Sequence, residues 1–533
     1  MSDSSVDKNP QFSQIQTNNS TEDNLPEIDI RDFIRETRPF YKVPHLRILA
    51  FYVFVITLSS TTTGFDGSLL NGLQSTEYWS PAMGHPTGHV LGALSNGTIF
   101  GAILAAPFAP FFCDRYGRKI SIYIGESLVI IGSVLQGAST NYAFFLCARI
   151  VLGFGGAFAS LASPALISEI AYPLHRSAST ISYNMCWYLG AVVAAVVTYL
   201  TRLIDNDYSW KIPSYLQAFF ALVQLFILWA CPESPRFLIA KGREDKAREI
   251  LSKYHIGDST NQRDLEFIDF EIKEIEASLE AEKLAGANSK YSDFWTRKTY
   301  RKRLFLVLFT STMMQLSGNG LVSYYLNKVL NSIGITELKE QLEINMCLMI
   351  YNLVISLVIC YVANYFKRRQ LFITSVSGML LTYVIWTILS AINQQRNFKD
   401  KSLGQGVLAM IFFYYLSYNI GLNGLPFLYL TEILPYSHRA KGLNIFIQNQ
   451  QIVSVYNGFV NPIAMDAIEW KYYIVYCCIL AIELIVVVLF YPETSGRTLE
   501  EVAEVFGDGE QTKVAAIYSV DDKRNSFEHV EVA

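Results

Sequence analysis

The stretch ILAFYVFVITL (residues 48–58), followed by TTTGFDGSLL (residues 61–70), decides how the rest of the chain is interpreted. Its first part has the apolar composition of a membrane helix, so its second part places the carboxylate of Asp66 in or near the hydrocarbon layer. An ionised side chain at mid-bilayer costs about 3 kcal/mol on insertion scales, so it needs a partner or a function. The best candidate partner is Arg149, which lies in a second membrane-like segment, residues 144–158.

An acid and a base that face each other between membrane helices are the minimum that a proton-coupled carrier requires, because the acid can be neutralised by a proton. Asp66 and Arg149 are therefore the predicted proton-coupling residues. The alternative is that Asp66 lies in the wet interface and only caps a helix.

The composition is that of a membrane protein. Of the 533 residues, 51% are hydrophobic and only 17% are charged, against about 25% in soluble domains. The net charge of −4 is too near neutral to indicate a nucleic-acid partner. The eight cysteines fall in or beside apolar runs without metal-ligand spacing, so we expect no metal and no cofactor. No nucleophile–base set is evident outside the apolar segments, so an enzyme is not expected.

Twelve segments are long and apolar enough to span a membrane, which predicts an all-α membrane protein with twelve transmembrane helices. Several are interrupted by Gly, Pro or polar residues, as expected of helices that line a watery path. The predicted spans are 47–70, 89–113, 119–138, 143–167, 178–201, 213–231, 303–330, 342–365, 371–391, 405–431, 443–465 and 472–491.

Positive charges predict the orientation. Short loops with Arg115, Arg118 and Lys119, and with residues 367–369, should be cytoplasmic; the loop with Arg396 is an exception, yet both termini come out inside. The expected organisation is a disordered tail (1–45), a six-helix bundle (46–231), a linker with short amphipathic helices (232–302), a second six-helix bundle (303–491) and a C-terminal tail (492–533).

Three landmarks recur about half a chain apart, which predicts two parallel six-helix repeats. They are basic turns at 114–119 and 364–369, Glu and Arg seven positions apart at 169–176 and 432–439, and the closing motifs PESPR (232–236) and PETSGR (492–497). Ion pairs among them would form when a cytoplasmic gate shuts and break when it opens; simple topogenic charge is the alternative. The predicted gate residues are Asp114, Arg115, Gly117, Arg118, Glu169, Arg176, Glu233, Arg236, Glu432, Arg439, Glu493 and Arg497.

Amide and aromatic side chains interrupt the apolar helices in both halves. Amides offer donors and acceptors to neutral hydroxyls, and aromatic faces suit the apolar face of a sugar, so the set favours a sugar or polyol site. For any single Asn or Gln, helix–helix contact is the alternative. The predicted substrate-binding residues are Asn184, Trp187, Gln315, Asn319, Tyr324, Tyr325, Gln450 and Asn457.

The motifs GFDG (64–67), DRYGRK (114–119), PESPR and PETSGRTLEE (492–501) together resemble the sugar porter family of the major facilitator superfamily, across nearly all of residues 45–505. Segments 64–69, 183–190, 211–217, 317–326 and 434–442 are most similar to the fungal lactose permease group. The resemblance implies two pseudo-symmetric six-helix bundles, an acid and an arginine at Asp66 and Arg149, and a substrate contact at Phe427, where the family has Trp. The sequence departs from the pattern of the monosaccharide carriers at Asn184, Met314 and Gly320, which suggests a reshaped site compatible with a disaccharide.

The resulting hypothesis is a monomeric multi-pass plasma-membrane sugar:H+ symporter, whose partners are a small sugar, protons and the lipid bilayer. Lactose or another disaccharide is the leading substrate, and monosaccharides are the alternative. An uncoupled sugar facilitator is the second hypothesis. A non-transporting sugar receptor is the third, although the C-terminal tail is short for a signalling extension.

Overall fold

The computed structural model describes residues 40–288, 290–362, 365–396, 398, 400–495, 502, 505 and 506. Most of the two predicted tails, including Arg497, lies outside the described residues. Before the linker the chain forms α1 (Pro44–Ser75), α2 (Gly88–Ala105), α3 (Phe108–Tyr116), α4 (Arg118–Gly137), α5 (Tyr142–Ile170), α6 (Arg176–Thr201), α7 (Tyr208–Leu216) and α8 (Ala218–Leu228).

The linker and the second half are also helical. The linker contains α9 (Pro235–Ala240), α10 (Glu244–Leu251), α11 (Gln262–Asn288) and α12 (Asp293–Thr296). After it come α13 (Lys298–Leu316), α14 (Asn319–Ser332), α15 (Leu338–Val362), α16 (Arg368–Gln395), α17 (Lys401–Gly421), α18 (Leu425–Ile433), α19 (Tyr436–Ile468) and α20 (Tyr472–Phe490).

The predicted all-helical membrane fold is confirmed, because each of the twelve predicted spans coincides with a helix or a broken helix. Within the described part of the chain, ten helical segments are long and apolar enough to cross a membrane. One of them, Ser437–Phe490, contains the two passes α19 and α20. The broken helix α17–α18 is the twelfth pass.

Four passes are broken, and one break is supported by a group of tyrosines. The pass α13–α14 is interrupted at Ser317 and Gly318, where the helical hydrogen-bond ladder stops and carbonyl groups lose their partners. Buried tyrosines of neighbouring helices replace these partners. Tyr383 donates to the Gly318 carbonyl (3.4 Å), Tyr414 to Ser317 (3.2 Å) and Tyr418 to Met314 (3.3 Å). The break is therefore fixed rather than loose.

The two halves contact each other mainly in the part of the bundle remote from the linker, here named the closed end. Polar side chains of α1, α2 and α6 bond across the interface to α14, α15 and α19. The bonded pairs are Asn71–Ser323, Gln74–Tyr324 (3.0 Å), Ser75–Asn327 (3.2 Å), Asn96–Val455 (3.0 Å) and Tyr199–Glu343 (2.9 Å).

The opposite end, here named the linker end, is open between the halves. Asn184 on α6 and Phe427 on α18 lie near the middle of the bundle, yet both are exposed, Phe427 by 41%. Leu161 of α5 is also exposed, by 41%. From these exposures we infer a vestibule between the halves that reaches the centre of the molecule from the linker end.

The linker is attached to both halves. His255 bonds the Glu271 carboxylate within the linker (2.7 Å) and the Ile170 carbonyl of the first half (3.2 Å), and Asp293 of the linker bonds His438 of the second half (3.0 Å). Helices occur at both places where the sequence predicted amphipathic ones, α10 and α11. Ile268 and Ile272 of α11 are buried, so its apolar stripe packs against the protein.

Candidate functional site

The structure brings Asp66 and Arg149 into direct contact. Arg149 Nη1 and Nη2 donate to the two carboxylate oxygens of Asp66, at 3.2 and 3.4 Å, and Arg149 Nε donates to the Leu94 carbonyl at 2.8 Å. Only 3% of the Arg149 side chain and 15% of Asp66 are exposed. The acid on α1 and the base on α5 therefore form a largely dehydrated ion pair inside the first half.

A third residue completes this pair and was not predicted from the sequence. Gln217, between α7 and α8, donates to Asp66 Oδ1 at 3.1 Å and is itself buried. In the sequence, Gln217 cannot be told from any other amide residue in an apolar helix. Gln217 does directly follow the segment with Pro213, where a helix break could be anticipated. Asp66 thus accepts hydrogen bonds from two neighbouring helices.

The glycines around Asp66 explain its position. A Cβ atom on Gly64 would lie 1.8 Å from the Trp187 carbonyl oxygen, so only glycine allows α1 to approach α6 this closely. Gly67 lies against the Trp187 ring, where a Cβ would stand 3.0 Å from the nearest ring carbon. The predicted substrate residue Trp187 is therefore packed on the helix that carries Asp66.

Three predicted substrate residues of the second half are hydrogen-bonded beside the break in α13–α14, Gln315 and Asn457 to each other and Asn319 to a neighbouring tyrosine. Asn457 donates to the Gln315 carbonyl, and Ser454 donates to Gln315 Oε1 at 3.4 Å. Asn319 donates to Tyr418 Oη at 3.3 Å. These amides are held in place while Gln315 and Asn319 stay partly exposed, as an orienting polar site requires.

The other predicted substrate residues divide into two groups. Asn184 and Phe427 are exposed to the vestibule, and Gln450 is partly exposed. Tyr324 lies near enough to Asp66 and Arg149 to interact with them electrostatically, although it belongs to the second half. Tyr325 is fully buried and donates to the Gly458 carbonyl at 2.6 Å, so the structure places it in the closed end, away from the vestibule.

The predicted gate residues of the first half form a network around the turn at Gly117. Arg118 makes an ion pair with Glu169 (3.0 Å), while Asp114 is farther from Arg118 at 4.0 Å and is mostly exposed. Glu233 accepts from the backbone amide of Lys119 at 3.3 Å. Burial raises the pKa of the Glu233 carboxyl, an effect that these amide contacts and the nearby cations oppose.

Three further predicted gate residues lie outside that network. Arg236 pairs with Glu282 of the linker helix α11 at 2.6 Å rather than with the Glu233 group. Arg115 and Arg176 are exposed.

The second half has a matching network, although its basic turn lacks the Asp, Arg and Gly of the first. Arg368 pairs with Glu432 (3.4 Å), and Glu493 accepts from the backbone amides of Arg368 (3.0 Å) and Arg369 (3.1 Å). Arg368 and Glu432 thus correspond to Arg118 and Glu169. Arg439 also has an interaction partner.

These pairs differ from the expected gate in one respect. The expectation was that they break when the cytoplasmic gate opens, but Arg118–Glu169 and Arg368–Glu432 are formed while the linker end is open. The physical reason is that both partners of each pair belong to the same half. Such a pair stiffens its own half and does not bridge the vestibule.

The family comparison agrees with this architecture. The model of the Sugar (and other) transporter family matches residues 52–506, which is most of the chain. The chain belongs to this family. The transporter is thus a multi-pass membrane protein of the sugar porter type, and its family consists of membrane transporters rather than enzymes.

Several curated relatives of the transporter are fungal proteins. It is 29% identical to the MFS-type transporter oryC of Aspergillus oryzae over 89% of this chain and 88% of that protein. It is 27% identical to the low-affinity glucose transporter HXT3 of Saccharomyces cerevisiae, over 79% and 74%. It is 26% identical to a high-affinity glucose transporter of Kluyveromyces lactis, over 90% and 89%.

Solved structures share the fold. The inward open conformation of the xylose transporter XylE from E. coli superposes with a TM-score of 0.70 at 22% identity, covering 85% of this chain and 98% of that chain. The proton:xylose symporter XylE bound to 6-bromo-6-deoxy-D-glucose gives 0.67 at 20% identity, over 85% and 98%. The predicted major facilitator fold is thereby confirmed.

Proposed function

We propose that the transporter is a plasma-membrane sugar:H+ symporter that works by alternating access, with both termini and the linker end in the cytoplasm. The observation that carries the proposal is the Asp66–Arg149 pair, held by Gln217 beside a vestibule lined with neutral amides and aromatic rings. Neutral amides suit a sugar better than an ionic substrate. One structural neighbour is a proton:xylose symporter, which supports the same chemistry.

The proposed cycle follows from what a proton does to this pair. When Asp66 is protonated from outside, it loses its charge and Arg149 loses its counter-ion, which changes the contact between α1 and α5. Sugar binding between the halves and rocking towards the linker end follow. Release of the proton inside restores the ion pair and resets the carrier.

The roles of the site residues are part of this proposal. We assign sugar contacts to Asn184, Trp187, Gln315, Asn319, Phe427, Gln450 and Asn457, and links between the pair and the second half to Tyr324 and Tyr325. The resemblance of the sequence motifs to the lactose permease group makes lactose or another disaccharide the leading candidate substrate. Hexoses are the alternative, which the relatives named as glucose transporters favour.

The test is uptake of labelled lactose, cellobiose, maltose, glucose and galactose in yeast without its own sugar transporters, at about pH 5 and about pH 7. A symporter takes up its sugar faster at the lower pH and accumulates it, and Asp66→Asn abolishes accumulation while downhill uptake persists. Equal uptake at both pH values, unchanged in Asp66→Asn, would establish an uncoupled facilitator instead. Sugar binding without uptake by a surface-localised protein would establish a receptor.

A further inference from the structure

A second carboxyl group is buried inside the first half, apart from the Asp66–Arg149 pair. Glu126 lies in the middle of α4, its side chain is 1% exposed, and its Oε2 has no hydrogen-bond partner. It is not among the residues predicted from the sequence, although an acid within the apolar run 120–138 is a signal for a functional role.

Three polar side chains from three other helices form a hydrogen-bonded cluster beside Glu126. Ser59 of α1, Ser163 of α5 and Gln224 of α8 are all buried. The Ser59 and Ser163 hydroxyls are 2.7 Å apart, and Gln224 Nε2 donates to Ser59 Oγ at 2.8 Å. Ser59 is also close enough to the Glu126 carboxyl to interact with it. The carboxyl therefore belongs to a built polar cluster rather than to an apolar void.

This cluster lies on the same helix faces as the Asp66 site. Ser59 and Asp66 are seven residues apart, which is two turns or about 10 Å along one face of α1. Gln217 and Gln224 are also seven apart, and each bonds its counterpart on α1, Asp66 and Ser59. Since α1 begins at the linker end, the Glu126 cluster lies about two helical turns closer to that end than Asp66 does.

Hydroxyl groups line α1 between the two sites. Thr62 and Thr63 occupy the positions between Ser59 and Asp66 on the same side of the helix. Thr63 is exposed, whereas Thr62 is buried. The Thr62 hydroxyl donates to the Leu58 carbonyl and the Thr63 hydroxyl to the Ser59 carbonyl, both at 3.0 Å, and each hydroxyl oxygen can also accept a hydrogen bond.

The charges around Glu126 are engaged elsewhere. Tyr183 of α6 is a titratable side chain near enough to Glu126 to interact with it electrostatically. Several charged groups of the first half pair with one another, as Arg149 with Asp66, Glu169 with Arg118 and Lys211 with Asp207. Among the described residues no cation forms an ion pair with Glu126. A carboxyl that is buried without a counter-ion must be neutral or be stabilised by hydrogen bonds.

We propose that Glu126 is a second proton-binding site and that the transported proton passes from Asp66 to Glu126 before it leaves at the linker end. The inference rests on the proposed symport. In this step the Asp66 carboxyl loses its O–H proton and becomes the carboxylate that pairs with Arg149. The Glu126 carboxylate gains that proton and becomes a neutral acid, which later returns it to water at the linker end. Ser59 and Gln224 supply hydrogen-bond donors to the transient carboxylate.

The test compares two modes of transport in Glu126→Gln, which keeps the shape of the protonated acid. Net uptake with its proton signal requires proton release at the linker end, whereas sugar exchange with equal concentrations on both sides does not. We expect net uptake and sugar-induced medium alkalinisation to fall about ten-fold, with exchange within about two-fold of wild type. The probe is whichever of labelled lactose and D-glucose the wild type transports.

Two further variants make the test specific. Glu126→Asp keeps a titratable group and should restore at least about half of net uptake. Glu483→Gln alters another buried acid, 3% exposed on α20 in the other half, and should leave both modes within about two-fold of wild type.

Three results would overturn the inference. The first is that Glu126→Gln keeps the net uptake and the proton signal of the wild type. The second is that Glu126→Gln loses net uptake and exchange equally and that Glu126→Asp does not restore them. Either result contradicts the role of Glu126 and leaves the proposed symport unaffected. A wild type that takes up sugar without any proton signal contradicts the proposed symport as well.

Discussion

At the scale of single residues, a buried charge is tolerated in this bundle where other groups compensate it. Asp66 accepts hydrogen bonds from Arg149 and Gln217, and Arg149 uses its third donor on Leu94. Removing one member of a buried ion pair costs about 3–5 kcal/mol when the other charge is left uncompensated. Asp66→Asn keeps a side chain that can bond Gln217 and is thus a milder probe of coupling than loss of Arg149.

Gly117 gives the sharpest prediction at this scale. Its φ of 108° and ψ of 166° belong to a backbone region used almost only by glycine, and a Cβ would lie 2.6 Å from Glu233 Oε2. Gly117→Ala should therefore destabilise the protein by about 1–3 kcal/mol and displace Glu233. The measurement is the melting temperature of the purified protein in detergent. Gly156→Ala is the control, because its Cβ meets nothing within 4 Å; equal melting temperatures of the two variants would contradict the explanation.

The sequence indicated some site residues better than others, for physical reasons. A lone acid and a lone base in apolar segments need each other, so the contact of Asp66 with Arg149 could be predicted. Gln217 could not, because an amide that holds a carboxylate has the same sequence signal as one that joins two helices. Tyr325 was expected to bind substrate, but a fully buried tyrosine with a backbone acceptor looks the same in sequence as one that lines a vestibule.

At the scale of helices, two histidine–carboxylate pairs with opposite pH behaviour hold the linker in place. His255–Glu271 joins two parts of the linker, and Asp293–His438 joins the linker to the second half. Burial by itself lowers the pKa of His255, but Glu271 and the Ile170 carbonyl raise it by more, so the net shift is upward. The His438 hydrogen bond lowers the pKa of Asp293, helped by the Lys290 amide. The first pair thus loses strength as pH rises, while the carboxylate of the second persists until strongly acid pH.

The His255 pair predicts a pH-dependent attachment of the linker. Its stabilisation is fully present below the unfolded histidine pKa of about 6.5 and is lost as pH rises through the raised native value. Limited proteolysis of the linker should therefore become faster between about pH 6 and about pH 9, relative to an unstructured peptide with the same cleavage site. His255→Ala should be fast and free of this pH dependence. The exposed His89→Ala is the control and should match wild type; a pH-independent wild type would refute the prediction.

The existence of the helices could be predicted from hydropathy, but their breaks could not be placed. Apolar runs of about 20 residues located each of the twelve passes to within a few residues. The break at Gly318 depends on Tyr383, Tyr414 and Tyr418, which are 65 to 104 residues away from their acceptors in the chain and act as hydrogen-bond donors to them only after folding. Such long-range partners leave no periodic pattern in a single sequence.

At the scale of the whole molecule, the two halves are joined at one end and separated at the other. The gate pairs lie within the halves, so each half can move as a unit, whereas most bonds across the interface lie at the closed end and one, from Tyr188 to Asn419 (3.2 Å), lies near the middle. A carrier that alternates must therefore exchange the bonds of the closed end for contacts at the linker end. The linker, which is attached to both halves, limits how far the linker end can open.

A covalent link across the closed end should stop transport. Ser75 and Asn327 face each other there, with Asn327 Nδ2 3.2 Å from Ser75 Oγ. In a background without native cysteines, Ser75→Cys with Asn327→Cys, cross-linked by a short bifunctional reagent, should lower sugar uptake at least about ten-fold, because the closed end must separate to admit sugar from outside. Asn331 and Gln341, which are 2.7 Å apart within the second half, supply the matched cysteine pair, whose cross-link should leave uptake near that of the untreated protein. If the link at Ser75 and Asn327 forms fully and uptake continues at its normal rate, sugar passes without separation of this end and alternating access between these two halves is wrong.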